Sequence, residues 1–202
     1  MIPADILTFI FYTIPSLLLA LSLHEFGHAY AAWRLGDKAA EHDGRLSLNP
    51  LIHLDWLWGF LLLISSLWLR PLPETRLRPT RGGTVVMALS GPFANFVLAW
   101  IAHLLWVLLP RHFSDPVGVQ VAGFLAETVR VNLLFAAVNL LPIPPLDAAR
   151  ALGAILPRPW AFRFDRFETL GIVLLVLLIA SQYIMVVLQP VASLLQFALR
   201  WP

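Results

Sequence analysis

Residues 6–33 read ILTFIFYTIPSLLLALSLHEFGHAYAAW and carry one charged side chain, that of Glu25. A helix needs about 20 predominantly apolar residues to cross the hydrocarbon core of a bilayer, and this stretch exceeds that length. The next charged residue is Arg34, directly beyond it. The stretch therefore predicts a membrane-spanning helix whose polar residues near the C-terminal end lie at membrane depth.

The composition of the whole chain predicts the same environment. Hydrophobic residues make up 59% of the chain and charged residues 13%, against about 25% charged residues in a soluble domain. The mean hydropathy is +0.77, so we expect an integral membrane protein whose surroundings are the lipid bilayer. A formal net charge of +2 gives no reason to expect a nucleic-acid partner. The absence of cysteine excludes disulfides and thiolate ligands and leaves His, Asp and Glu to bind a metal.

Three further stretches are long and apolar enough to cross a membrane. They lie at residues 84–109, 117–141 and 169–188. A fifth apolar stretch, 56–69, has 14 residues and would extend only about 21 Å as a helix, which favours a re-entrant or membrane-surface element. We therefore expect an all-α membrane protein, a polytopic helical bundle of about four full spans plus that element, forming a single domain over residues 1–202.

Two other features predict how the helices pack and end. Pro190 should break the last helix, leaving residues 191–199 as a short interfacial helix. Gly91 and other small residues open the second full span and should permit close helix packing, with Asn95 forming a hydrogen bond across the interface.

The basic residues are distributed unevenly among the loops. If residues 56–69 enter the membrane and return, then residues 34–83 and 142–168 share one side and hold 11 of the 14 Lys and Arg residues. Arg111 and Arg200 fall on the other side. Because basic residues are enriched in cytoplasmic loops, we expect the basic side to be cytoplasmic and the amino terminus to be outside. The protein would then be a multi-pass protein of the cell membrane.

The motif His24-Glu25-Phe26-Gly27-His28 lies in the inner half of the first predicted span. Helix positions four apart share one face, so His24 and His28 can offer two imidazole nitrogens to one Zn²⁺. Glu25, on the adjoining edge, can take a proton from a water at the metal. The alternative is a polar trio satisfied by neighbouring helices, but ionisable groups are costly to bury in a membrane without a function. The motif predicts a zinc-protease site toward the cytoplasmic side.

A catalytic zinc needs a third protein ligand and an open position for water. Spacing alone does not choose among five candidates, which are Asp43, His53, Asp55, Glu127 and Asp147. Asp147 follows a Pro-rich turn that would hold it rigidly. Glu127 can instead pair with Arg130 on the same helix face, and His53 and Asp55 can stabilise a turn.

Four short segments carry a resemblance to a known family. They read HEFGH at 24–28, GRLSLNPLIHLD at 44–55, SGPFAN at 90–95 and NLLPIPPLD at 139–147. In this order they resemble the site-2 protease family of intramembrane zinc metalloproteases, over residues 15–150. Nothing resembling an inserted PDZ domain or a CBS pair is present, so the chain looks like a short, core-only member.

The resemblance implies one zinc ion per chain, with Asp147 as the third ligand beside His24 and His28. It also implies that Glu25 is the catalytic carboxylate. Asn139 would lie near the metal and polarise the scissile carbonyl or hold the transition state. An interhelical hydrogen bond is the alternative use of an asparagine in a membrane.

The sequence departs from the family directly after Asp147. The family commonly has Gly-Gly or Gly-Ser there, whereas this chain has Ala148, Ala149 and Arg150. Glycine permits a positive φ or a close backbone approach, both of which alanine restricts. The departure therefore puts in question the geometry that follows the aspartate, while Asp147 itself is intact.

The expected function is that of an intramembrane zinc endopeptidase that cleaves transmembrane or membrane-bound proteins near the cytoplasmic side. Its catalytic core would occupy about residues 6–150, with a C-terminal span and tail at 169–200. A substrate helix must unwind locally, and an extended edge in residues 70–80 would pair with it by strand addition. The alternatives are a non-proteolytic zinc-binding membrane scaffold and a metal or proton transporter. Glu25 favours the protease, because a binding site needs no general base.

Overall fold

A computed structural model describes residues 4–42, 44, 46–49, 80–108, 116–165 and 167–199. Within these ranges all regular secondary structure is helical, as expected for an all-α membrane protein. In chain order the elements are α1 (Ala4–Thr8), a π-helical turn (Phe9–Thr13), α2 (Ile14–Arg34), α3 (Ala39–His42), α4 (Arg81–Leu108), α5 (Pro116–Asn139), α6 (Asp147–Ile155), α7 (Arg158–Asp165), α8 (Glu168–Ala180) and α9 (Ile184–Leu199).

Three helical segments of the described chain are long and apolar enough to cross a membrane. They are Ile6–Arg34, which joins α1, the π-helical turn and α2, and the helices Arg81–Leu108 and Pro116–Asn139. The π-helical turn ends at Thr13, two residues before Pro15, and the N–H of Ile14 donates to the carbonyl of Phe9, five residues earlier. Proline has no N–H and its ring crowds the preceding turn, which accounts for the local widening.

The fourth predicted span, residues 169–188, is not one straight helix. α8 and α9 meet at an angle of 94°, so that they form either a broken span or a re-entrant pair. Between them Gln182 has a φ of 61°, in the left-handed region. The hydroxyl of Ser181 donates to the carbonyl of Leu177 at 2.6 Å and occupies one of the last acceptors of α8. These polar turn residues end the helix inside the apolar stretch.

The predicted break at Pro190 is wrong, because α9 runs through this residue to Leu199. Leu188 before the proline and Val191 after it both pack against one hydrophobic cluster, to which Leu141 and Leu146 also belong. This packing on both sides compensates for the one backbone hydrogen bond that a proline removes. Residues 191–199 are therefore the second half of α9 and not a separate helix.

α4 is the centre of the described bundle and packs against α2, α5 and α6. Small residues are buried at these contacts, including Gly91, Ala99 and Ala102 on α4 and Ala20 and Ala31 on α2. In a membrane the lipid is as apolar as a leucine side chain, so helices associate where small residues let their backbones approach closely. The predicted close packing at Gly91 agrees with this arrangement.

Contacts between α2 and α5 show that these two helices run in the same direction. Ser16, early in α2, forms a 3.0 Å hydrogen bond with Thr128 of α5. His24, two turns later in α2, packs edge-on against Phe135, two turns later in α5. The C-terminal end of α5, and with it the turn that leads to α6, therefore lies at the same end of the bundle as Arg34.

α2 and α4 run in opposite directions. His24 contacts Asn95 of α4, whereas His28, one turn later, contacts the earlier residue Met87. The end of α2 and the start of α4 therefore lie at one end of the bundle. The predicted re-entrant element at 56–69 and nearly all of the predicted edge at 70–80 fall outside the described residues.

Candidate metal centre

Two imidazoles and one carboxylate meet between α2 and the start of α6. Nε2 of His24 lies 3.0 Å from Oδ2 of Asp147, and Nε2 of His28 lies 3.2 Å from the same oxygen. The two Nε2 atoms are 3.1 Å apart. The three residues are 1%, 4% and 1% exposed, in chain order. The structure thus brings together the three residues that the motif and the family resemblance named, in a group able to hold a metal ion.

The turn after α5 positions the carboxylate. α5 ends at Asn139, and three prolines in residues 142–145 prevent its continuation. The N–H of Leu146 donates to the carbonyl of Ile143, which closes the turn. The Leu146 side chain is fully buried in the hydrophobic cluster that includes residues of α5, α8 and α9. This anchor fixes the position of Asp147, the first residue of α6.

Each imidazole uses its other nitrogen to form a hydrogen bond that points away from this meeting point. Nδ1 of His24 lies 2.7 Å from Oδ1 of Asn95, and Nδ1 of His28 lies 2.7 Å from the carbonyl oxygen of Met87. Carbonyl oxygens only accept hydrogen bonds, so both Nδ1 atoms donate. In neutral imidazoles both Nε2 atoms then present lone pairs. Oδ2 of Asp147, buried beside them, has no hydrogen-bond partner in the described part of the chain.

Three acceptor atoms that face one another repel unless a positive charge lies among them. Tetrahedral zinc at about 2.0–2.1 Å from its ligands holds them about 3.3 Å apart, which is close to the observed 3.0–3.2 Å. Two His and one carboxylate are also a donor set of catalytic zinc sites, which keep the fourth position for water. The residues present therefore fit a zinc ion.

The carboxyl group at this centre is held in its charged form. Burial disfavours the charge, but the contacts with His24 and His28 outweigh burial and lower the pKa of Asp147 well below its ordinary value. This cluster of acceptor atoms requires a positive charge, and a bound zinc ion would supply it.

Comparison with known proteins gives the family. The chain is 31% identical over 188 residues to "Putative zinc metalloprotease YwhC" of Bacillus subtilis, a match that covers 90% of this chain and 86% of that protein. The chain belongs to the site-2 protease family. It is also 40% identical over 149 residues to "Putative zinc metalloprotease Rip2" of Mycolicibacterium smegmatis, which covers 67% of this chain and 53% of Rip2. No family model and no solved structure matches the chain.

A more distant relative carries a name of the same kind. "Zinc metalloprotease MJ0392" of Methanocaldococcus jannaschii is 24% identical over 155 residues, which cover 76% of this chain and 37% of that protein. The matched relatives are thus named for zinc and for proteolysis. Zinc is accordingly the cofactor of this family member, and the cluster of two histidines and one aspartate is the group in the described chain that fits it.

Two glycines let the histidine pair lie close to α4. A Cβ atom at Gly91 would lie 2.7 Å from Cε1 of His24 and would overlap Nε2 of His28. A Cβ atom at Gly27 would lie 2.7 Å from the carbonyl oxygen of Ser90. The sequence predicted a packing role for Gly91 and did not indicate that this residue lies against the imidazoles. The only signal was its position in SGPFAN, which does not say which side chains it faces.

Glu25 and Asn139 remain predictions as catalytic residues. Glu25 is half-buried in α2 between the two histidines, and its carboxylate has no hydrogen bond or ion pair with any described residue. Asn139 is buried, its Nδ2 donates to the carbonyl of Phe135 at 3.0 Å, and its Oδ1 is unpaired among the described residues. The Phe135 ring in turn packs against His24, with centroids 5.1 Å apart. Asn139 is therefore one helical turn from a residue that supports the histidine pair.

Of the other ligand candidates, Asp43, His53 and Asp55 lie outside the described residues. Glu127 has different partners: its carboxylate accepts hydrogen bonds from Thr13 at 2.7 Å and from Arg130 at 2.6 and 2.8 Å. This agrees with the predicted pairing of Glu127 and Arg130 on one helix face. Glu127 is thus engaged away from the two histidines.

The residues after Asp147 do not need to be glycine. Ala148 and Ala149 lie in the first turn of α6, and Ala149 is 2% exposed. Among the described non-glycine residues only Gln182 has a positive φ. Alanine is the residue most favourable to a helix, so the departure from the family's Gly-rich pair is compatible with the geometry seen here.

Proposed function

We propose that the chain is an intramembrane zinc endopeptidase that cleaves transmembrane or membrane-bound proteins near the cytoplasmic side of the cell membrane. The observation that carries this proposal is the convergence of three acceptor atoms, from His24, His28 and Asp147, within a bundle of helices long enough to span a membrane. Membership of a family of zinc metalloproteases supports hydrolysis of a peptide bond.

In this proposal His24, His28 and Asp147 hold the zinc ion. When bound, zinc supplies a Lewis acid that polarises a carbonyl and lowers the pKa of water to about 7. Glu25 accepts the proton that the attacking water loses and then delivers it to the leaving amine. The side-chain N–H of Asn139 donates to the oxygen of the scissile carbonyl as negative charge develops there. Cleavage yields one new carboxyl group and one new amine.

The position of the histidines along α2 supports cleavage in the inner half of the membrane. His24 precedes Arg34, the last residue of α2, by ten residues, which is about 15 Å along a helix. This is about half of the roughly 30 Å hydrocarbon thickness. Water and the substrate would reach the site from the end of the bundle where Arg34 lies. The predicted share of 11 of 14 basic residues on that side supports a cytoplasmic location.

Substrate recognition is proposed to involve an extended backbone. A helix conceals its peptide groups in internal hydrogen bonds, so a transmembrane substrate has to unwind at the cleaved bond. An edge in residues 70–80 would pair with the unwound segment by strand addition. The scaffold and transporter hypotheses gain no support from the site. Ala148 and Ala149 fit a regular helix, which removes the feature that favoured a scaffold, and a binding site needs no general base such as Glu25.

The proposal is tested by co-expressing the protein with candidate single-span substrates and measuring cleavage by immunoblot. Wild type and the matched control Glu168→Gln, which alters an exposed glutamate at the start of α8, should cleave. Glu25→Gln should not cleave, because the amide keeps the shape of the side chain but accepts no proton. Native cleavage by Glu25→Gln, with His24→Ala inactive in the same cells, would exclude Glu25 as the base. Cleavage by both variants would exclude the site.

A further inference from the structure

Two buried asparagines form a chain of hydrogen bonds behind His24. Oδ1 of Asn95 lies 2.7 Å from Nδ1 of His24, and Nδ2 of Asn95 donates to the carbonyl of Ala20 at 2.8 Å and to Oδ1 of Asn132 at 3.0 Å. Nδ2 of Asn132 donates to the carbonyl of Thr128 at 2.9 Å. Both asparagines are fully buried. The chain joins α2, α4 and α5 at the histidine that begins the motif.

The direction of this chain is fixed at its far end. The backbone carbonyls of Ala20 and Thr128 can only accept, so each must face an amide NH₂ group. Asn132 therefore turns its oxygen toward Asn95, and Asn95 turns its oxygen toward His24. Rotating either amide would bring two acceptors or two donors together in a buried site, which costs more than losing a hydrogen bond. Nδ1 of His24 must then carry the proton, and Nε2 must carry the lone pair.

We propose that Asn95 and Asn132 are positioning residues that fix the tautomer and the ring orientation of His24 before zinc binds. They act through His24 and touch neither the metal nor the substrate. The inference rests on the zinc site of the proposed function and adds the side chains that prepare it. Groups that hold the second nitrogen of a ligating imidazole set its tautomer and commonly contribute about 10–100-fold to metal affinity.

His28 provides an internal comparison. Its Nδ1 donates to the backbone carbonyl of Met87, an acceptor that no side-chain substitution removes. The hydroxyl of Ser90 donates to the same carbonyl at 2.6 Å and lies 3.4 Å from the imidazole nitrogen. Of the two histidines, His24 is therefore the one whose tautomer depends on side chains. Substitutions in the asparagine chain should disturb His24 and leave His28 unchanged.

The first test measures zinc affinity of the detergent-purified protein by competition with a chelator, without any substrate. Asn95→Leu removes the acceptor for His24 and should weaken zinc binding about 10–100-fold. Asn95→Asp keeps an acceptor toward His24 but loses the amide donors, so it should recover most of the affinity while still lowering the melting temperature. Ser16→Ala is the matched control, because Ser16 is fully buried and bonds across the same α2–α5 contact without touching His24.

The second test reads the tautomer directly. In zinc-stripped protein labelled with ¹⁵N-histidine, the protonated and bare ring nitrogens of His24 give separate resonances, with His24→Ala providing the assignment. Wild type and Ser16→Ala should show a protonated Nδ1, whereas Asn95→Leu should show a mixture of tautomers. If Asn95→Leu does not fold, Asn132→Leu is the replacement, because it leaves the Asn95 amide free to rotate. It should give a smaller fraction of the second His24 tautomer and a smaller loss of zinc affinity than Asn95→Leu.

The results separate positioning from simple helix packing. Equal loss of affinity in Asn95→Asp and Asn95→Leu, in proportion to lost thermal stability, would overturn the proposal. The proposal would also be overturned if Asn95→Leu bound zinc as tightly as wild type and kept the wild-type tautomer of His24. If Asn132→Leu replaces that variant, the same result in Asn132→Leu would overturn it. Failure of the proposed proteolysis can be distinguished from failure of this inference. A protein that cleaves no substrate can still show the expected zinc affinity and the expected tautomer of His24.

Discussion

Replacing Gly91 by alanine adds one methyl group to the surface of α4 that faces His24 and His28. That carbon would lie 2.7 Å from Cε1 of His24, and ordinary contact begins at 3.4 Å, so the ring has to retreat by about 0.7 Å. A functional constellation tolerates displacements of about 0.5 Å, and a misplacement near 1 Å costs on the order of 10²-fold in rate. Overpacking of this kind also costs about 1–3 kcal/mol of stability.

The assay compares Gly91→Ala with Gly82→Ala in the same helix. A Cβ atom at Gly82 would have no heavy atom within 4 Å, and alanine is favoured over glycine in a helix by about 1 kcal/mol. Gly82→Ala should therefore keep the zinc content of the wild type. Its thermal stability should equal or exceed that of the wild type. Gly91→Ala should bind zinc more weakly and cleave at about one hundredth of the wild-type rate. Equal zinc affinity and equal cleavage in the two variants would refute the inferred contact between α4 and the imidazoles.

Three other predictions concern the site and the topology. Purified Glu25→Gln should still bind one zinc per chain, measured by elemental analysis, because all three proposed ligands remain; loss of zinc together with activity would show damage to the site itself. Asp147→Ala should lose most of the zinc, since only two ligands remain, and full occupancy would remove this residue from the site. Because the native chain has no cysteine, single introduced cysteines can report topology through their accessibility to a thiol reagent. Ala40→Cys and Trp160→Cys should react with the reagent from the cytoplasmic face, and Ser114→Cys should react from outside. Labelling of positions 40 and 160 from opposite faces would contradict the predicted arrangement.

The sequence predicted those parts of the site that depend on spacing along one helix. His24 and His28 are four positions apart, so any α-helix puts them on one face, and the long apolar stretch around them predicts that helix. The approach of Asp147 could not follow from spacing. It depends on the parallel course of α2 and α5 and on the burial of Leu146, both of which are tertiary facts. Only the family resemblance selected Asp147 among the five candidates.

The contacts behind the histidines were least predictable. Gly91 and Asn95 belong to α4, and nothing in a single sequence specifies the register of one helix against another. A packing role was predicted for both, but their contacts with the two imidazoles emerge only when α2 and α4 are placed side by side. The bend within the fourth predicted span was not predicted, for a related reason. Average hydropathy over a window does not detect that Ser181 and Gln182 can turn the chain within it.

The separation of the ligands along the chain has a consequence for biosynthesis. Two of the three proposed ligands belong to α2, and the third follows α5, so the complete set exists only after α4 and α5 have been made and have packed beside α2. A nascent chain that has inserted its first helix holds two imidazoles and an incomplete site. The complete ligand set should therefore form only after residue 147 has left the ribosome and α6 has packed against α4.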